Sequence, residues 1–150
     1  MSELYLIEYF GVKVLIATLC GVIIGIEREI KGKVAGIRTN LLFCVGVTMF
    51  TSSAFLYADQ NPNIDPTRII GQIITGIGFM GTGVIFKSDN KIVGVTSASF
   101  IWVMSALGVM IGSGFYLISI ILAIGLVILS LFFEKVERRI RNWKVKKGDD

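Results

Sequence analysis

Histidine is absent from this 150-residue sequence, and charge is scarce: Asp, Glu, Lys and Arg together make up 17% of it. A soluble domain carries about 25%. Without His, the usual transition-metal ligand and the usual acid–base group at neutral pH are both missing. That argues against a zinc centre and a Ser–His–Asp hydrolase. With no recognisable nucleophile site either, no enzyme is expected. The only two cysteines, Cys20 and Cys44, both fall inside apolar runs. There a free Cys packs as a small hydrophobe, so no disulfide framework is expected. From Met1 to Phe10 there is Glu3 and Glu8 but no Lys or Arg, unlike the positively charged start of a cleavable signal. No hydrophilic tract is long enough for a separate soluble domain.

What is present is apolar: 53% of the residues are hydrophobic. They gather in five runs, 10–26, 41–57, 69–86, 93–111 and 115–133, each of 17 to 19 residues. A spanning helix needs roughly 17–25. The expectation is an all-α integral membrane protein, a bundle of five transmembrane helices over 1–133, followed by a basic juxtamembrane tail at 134–150. The connections alternate in charge. Four Lys or Arg lie in 27–40, two in 87–92 and seven in the tail, whereas 58–68 has only Arg68. By the positive-inside rule the N-terminus is outside and the C-terminus cytoplasmic. The tail adjoins a span, so its charge is read as binding to anionic lipid and not to nucleic acid. Val136, Ile140 and Trp143 at helical spacing suit a short amphipathic helix along the inner leaflet.

The third run stands out. After Arg68 it carries no charge for eighteen residues, five of them Gly. Interior Gly weakens a soluble helix by roughly 1 kcal/mol each, but in a bilayer it lets a neighbouring backbone come close. On a helical wheel Ile69, Ile73, Ile77, Met80 and Val84 form a bulky stripe suited to lipid. Gly71, Thr75, Gly78 and Thr82 form one small stripe, and Gln72, Gly76 and Gly83 another beside Phe79. This predicts a central helix gripped by at least two neighbours, with Gly78 where a partner backbone approaches. Gly76 to Gly81 also matches G-x-G-x-x-G, but without the strand–loop–helix context that gives this nucleotide fingerprint meaning.

Smaller signals fill in the rest. Gly21-x-x-x-Gly25 and Gly108-x-x-x-Gly112 are close-packing faces. Lys13 is placed to snorkel from the first run. Thr39 or Asn40 suits an N-cap for the second, and Asp65-Pro66 a cap and N1 proline for the third. Tyr57 suits the membrane interface, and Trp102, halfway along its run, burial between helices. For Mg²⁺ the oxygen ligands on offer are Glu27, Glu29, Asp59 and Asp65, none of them mid-span; each also reads as an ordinary solvated flanking charge. Glu27 and Arg38, at the two ends of one connection, are candidates either for a direct pair or for facing a partner or an ion.

Three blocks, GIEREIKGKVAGIRTNLL (25–42), DPTRIIGQIITGIGFMGTGVI (65–85) and VGVTSASFIWVMSALGVMIGSGFY (93–116), resemble in order and content the MgtC/SapB family of bacterial inner-membrane proteins. The resemblance covers about residues 10–133. It implies a multi-pass protein of the bacterial inner membrane linked to survival in low magnesium and to virulence-type growth inside host cells. One branch of the family is held to restrain the membrane ATP synthase instead of moving magnesium. The implied role is therefore regulatory, through binding another membrane complex such as the ATP synthase, with no cofactor. Mg²⁺ binding or transport is the alternative, and self-association through small-residue faces is a further expectation. The residues matching the family blocks are Glu27, Arg28, Ala35, Gly36, Arg38 and Thr39, then Arg68, Gln72, Gly76, Gly78, Phe79, Gly81 and Gly83, then Gly94, Thr96, Ala98 and Trp102. Val93 stands where the family often has a basic residue, and Thr96 where some members have Asn. Many members add a soluble C-terminal regulatory domain, whereas this sequence ends 17 residues after its last run.

Overall fold

The computed structural model describes residues 2–88 and 91–147. Met1, Asp89 and Asn90 of the charged turn, and residues 148–150 of the tail lie outside the described residues. The elements in order are α1 (Glu3–Ile30), α2 (Ile37–Gln60), α3 (Pro66–Thr82), β1 (Phe86–Ser88), β2 (Lys91–Val93), α4 (Val95–Gly112) and α5 (Tyr116–Lys147). Among the described residues four helices are long and apolar enough to cross a membrane: α1, α2, α4 and the 116–144 part of α5. With 17 residues, α3 is the short one.

The helices start where their sequences let orphan amides find a partner. The Ser2 hydroxyl accepts from the Tyr5 amide, so α1 begins well before the apolar run at 10–26. Asp65 accepts from the amide and the hydroxyl of Thr67 at 2.9 and 2.7 Å, with Pro66 opening α3 as expected. These bonds hold the exposed Asp65 carboxyl below its usual range. The expected cap of α2 at Thr39 or Asn40 is corrected. Its N-cap is Gly36, and Asn40 is buried inside the first turn, its Nδ2 donating to the carbonyls of Ala35 and Gly36 at 2.9 and 2.8 Å.

The third run does not stay helical to residue 86. Helix α3 stops at Thr82, and the chain turns into an antiparallel hairpin pairing Phe86 with Val93, Lys87 with Ile92 and Ser88 with Lys91. Gly94 ends the hairpin at φ +94°, where a Cβ would collide with the Val84 carbonyl, so α4 starts at Val95. The tail is corrected too. α5 runs unbroken from the last span through Lys147, with no separate helix turning along a leaflet.

Helix α2 is the centre, not α3. Gly21 and Gly25 of α1 sit so close that a Cβ on each would lie 2.6 Å from the Cα of Leu41 and Ile37. From the other side, Gly108 and Gly112 of α4 meet α2 at Val47 and Thr51 in the same way, at 2.8 and 2.6 Å. The Thr48 hydroxyl adds a 3.2 Å bond to the Gly108 carbonyl. Around these contacts lies a core of Ala17, Cys20, Ile24, Cys44, Met104 and Ile111, all 0% exposed, with both cysteines free as expected.

Helix α3 leans on α4 and α2 from outside, and its wheel is turned over from the expectation. Ile77 is buried and Ile73 and Val84 half-buried, packed with Ala35, Val47 and Ile101. Gly71, Gly76 and Gly78 have no atom within 4 Å of where a Cβ would stand, and Thr75 and Gln72 are exposed. Isoleucine buries more apolar area than glycine, so in this chain the isoleucines of the bulky stripe take the bundle and the small stripes face out, while Met80 stays exposed. Gly81, on neither small stripe, turns inward, toward Ala98 at 3.9 Å. Trp102, expected between helices, is 56% exposed.

The contacts also fix directions. Gly21 meets Leu41 and Gly25 meets Ile37, so α1 and α2 are antiparallel, whereas α2 and α4 run parallel. The Arg28–Ser130 and Lys31–Glu134 contacts make α1 and α5 parallel. Ends at Arg28 and at Lys13 thus lie on opposite faces of the bundle.

Candidate functional site

At one end of the bundle the chain buries charge. Residues 27, 28 and 31 fall on the last turns of α1, and α5 brings Ser130 and Glu134 alongside. The Arg28 side chain is 2% exposed. Its Nε and Nη2 donate to the Glu27 carboxylate, and Nη2 also reaches the Ser130 hydroxyl at 2.6 Å. Ser130 donates to Glu27 Oε1 at 3.0 Å. The guanidinium lies 3.8 Å over the Phe100 ring of α4. Lys31 bridges the Glu27 and Glu134 carboxylates, and Glu134 accepts from Arg138 at 3.1 Å. Partial burial works against the Lys31 charge, but the Glu134 and Glu27 carboxylates outweigh it and push its ammonium above the usual lysine range.

One network therefore ties α1, α4 and α5 together with every charge answered, the condition under which buried ions are tolerated. Glu29 does related work nearby: it accepts from the Ile37 amide at 3.1 Å and closes the loop into α2. A Cβ on Gly36 would strike that carboxylate. Beside the network opens a groove of about 920 Å³ between α1, α4 and α5. Val103, Leu126, Leu129 and Phe133 line its wall, and Lys33, Arg138 and Arg141 its rim, with Thr96 and Ser99 from the first turns of α4.

Of the expected site residues, the structure brings together Glu27, Arg28 and Thr96. Arg38 does not pair with Glu27, because Arg28 and Lys31 already hold that carboxylate; Arg38 is exposed and Thr39 half-buried beside it. Arg68 is exposed at the opposite end. Gln72, Gly76, Gly78 and Gly83 lie on the outer surface of α3, and Gly81 faces α4. Trp102 lines a second, apolar cavity of about 260 Å³ with Ile70, Ile73 and Ile77.

Sequence reasoning missed Ser130 and Glu134, and saw Lys31 as an exposed partner for Glu27 without counting it among the site residues. The spacing of Glu27 and Lys31, one helical turn apart, was a usable signal. Nothing marked Ser130 within its apolar run. Lys13 is a correction: it does not snorkel. It is buried, donates to the Gly112 carbonyl at 2.9 Å and sits 3.7 Å over the Tyr9 ring. The bare carbonyls at the C-terminal end of α4 suit a cation there.

For magnesium, both Glu27 oxygens are engaged by cations and a hydroxyl, so this carboxylate is not free to ligate an ion. Among the described residues no group of three or more His, Cys, Asp or Glu is placed to hold a metal.

The sequence pattern of the MgtC family matches residues 14–139. YhiD of Escherichia coli (strain K12), whose name assigns it provisionally to magnesium transport, is 38% identical over 134 residues, 86% of this chain and 62% of that protein. Protein SapB of Bacillus subtilis (strain 168) is 40% identical over 107 residues, 67% of this chain and 46% of SapB. Protein MgtC of Brucella abortus (strain 2308) is 40% identical over 98 residues, 65% of this chain and 40% of MgtC. The chain thus spans less than two thirds of the length of each of these curated relatives. No solved structure matches it.

Proposed function

The chain belongs to the MgtC family, and on that premise we propose that it is a regulatory protein of the bacterial inner membrane that acts by binding another membrane complex. The setting is adaptation to low magnesium and virulence-type survival, and the ATP synthase is the candidate partner. It works without chemistry of its own.

The observation that carries this reading is the outward small-residue face of α3. On α1 and α4, Gly21, Gly25, Gly108 and Gly112 are where helices touch. On α3, Gly71, Gly76 and Gly78 are open, beside a Phe79 that is 80% exposed. A membrane helix that keeps such a face outward offers a second helix close approach. The partner is either a different complex or a second copy of the chain.

In this reading α3 is the fifth span, with the N-terminus outside and the C-terminus cytoplasmic. Its 17 residues rise about 25 Å, close to the roughly 30 Å hydrocarbon core. It leaves the α2 end near Arg68 and arrives at the Gly94 end of α4. Reporter fusions after Phe133 and within 59–64 should report cytoplasm and exterior; the same compartment for both would refute five spans.

Magnesium binding or transport is the second reading, favoured by the name of YhiD. The closed packing of α1 and α4 on α2, and the engagement of Glu27 by cations, favour the first. Purified protein in proteoliposomes should show no Mg²⁺ flux above empty vesicles, and should co-purify with a membrane complex from magnesium-starved cells. Flux that saturates with Mg²⁺ would reverse the choice.

A further inference from the structure

We propose that the groove between α1, α4 and α5 is a binding site for one anionic phospholipid, with its phosphate on the cationic rim and an acyl chain along the apolar wall. The inference needs only the membrane character of the chain, not the regulatory reading.

Charge selects the ligand. Around the groove stand Arg28, Lys31, Lys33, Arg138 and Arg141 against the carboxylates of Glu27, Glu134 and Glu137. Glu27 and Glu134 are already consumed by Arg28, Lys31 and Arg138. Among the described residues Lys33 and Arg141 have no acidic partner within 4 Å, so the rim keeps a positive excess even with Glu137 present. The buried network also fixes the rim in place, because Arg28 and Lys31 hold α5 against α1 through Ser130 and Glu134.

Shape selects a lipid over a free ion. The wall below the rim is aliphatic and aromatic and belongs to helices long and apolar enough to cross a membrane, a surface that suits acyl chains better than water. An amphiphile satisfies both parts at once. A free phosphate or a nucleotide would use the rim and leave the wall unoccupied. Basic groups at the inner ends of spans are a recurrent way to hold anionic headgroups; here the geometry confines them to one groove.

The test is native mass spectrometry of the delipidated full chain, titrated with phosphatidylglycerol or with phosphatidylcholine of the same acyl chains. One phosphatidylglycerol should bind with clear preference over phosphatidylcholine. Lys33→Gln/Arg141→Gln should weaken it roughly 30-fold, about fivefold for each cation near the membrane surface. Arg139→Gln/Lys144→Gln removes two basic residues of α5 that do not line the groove, and should change binding less than twofold, a bound set well below one cation's share. Equal losses in both double variants would overturn the proposal in favour of diffuse attraction. A second measurement uses the unaltered protein. Glycerophosphoglycerol, the headgroup without acyl chains, and inorganic phosphate should compete poorly with phosphatidylglycerol. Displacement at matched concentrations by either would overturn it by showing that the wall is not used.

Discussion

Two sets of glycines in this molecule meet opposite fates. Gly21 and Gly25 on α1, with Gly108 and Gly112 on α4, are pressed against the backbone and side chains of α2. Gly71, Gly76 and Gly78 on α3 have open space where a Cβ would stand. Spacing separates the sets. In α1 and α4 the glycines lie four apart, so each pair makes one flat patch a turn long. On α3 the small residues alternate with a row of isoleucines, and the isoleucines win the bundle. A glycine stripe therefore marks where a helix can be approached, not that this chain approaches it. The same contrast holds for charge. Glu27 is spent inside the fold, whereas Arg38, one of two readings for which was a pair with it, is left outside.

The charge contrast gives the largest expected effect. Glu27→Gln leaves Arg28 buried without its carboxylate and should cost about 3–5 kcal/mol. Arg38→Gln, an exposed change, should stay within about 0.5 kcal/mol. Thermal melts in detergent separate the two, and equal losses would mean that Glu27 and Arg38 pair after all. Next comes the wheel of α3. Ile77→Ala, which empties a buried position, should cost about 2–5 kcal/mol. Met80→Leu, at a 55% exposed site, should cost less than about 1.5 kcal/mol, the ceiling for a volume-conserving swap in a core. Parity between them would turn the helix back to its expected orientation.

The glycine contrast itself is the smaller effect. Gly25→Ala and Gly112→Ala each add a methyl where there is no room and should cost about 1–3 kcal/mol. Gly78→Ala has open space and should be neutral or slightly stabilising, by no more than about 1 kcal/mol. A large loss at Gly78 in the isolated chain would show that α3 packs within the bundle.

The sequence carried the positions of four helices, both close-packing glycine patches, the Asp65-Pro66 start of α3 and the buried cysteines. Each is a local signal: length, spacing or capping chemistry. It did not carry which helix is central, because a wheel says which residues share a face and not who stands opposite. It put Lys13 at the surface because lysine usually snorkels, whereas the open carbonyl of Gly112 offered it an internal partner. The candidate site was half legible. Glu27 and Arg28 stood out as charges at the end of an apolar run. Ser130 and Glu134 come from about a hundred residues away, and only the parallel docking of α5 on α1 brings them there.

The central claim is that α3 keeps its small-residue face free for a partner. Site-specific photo-crosslinking in magnesium-starved cells tests it most directly, with the crosslinker placed at Phe79 on that face or at Ile121 on the exposed side of α5. A discrete protein adduct from position 79 and none from 121 is the predicted result. No adduct from 79, or the same pattern from both positions, would contradict it.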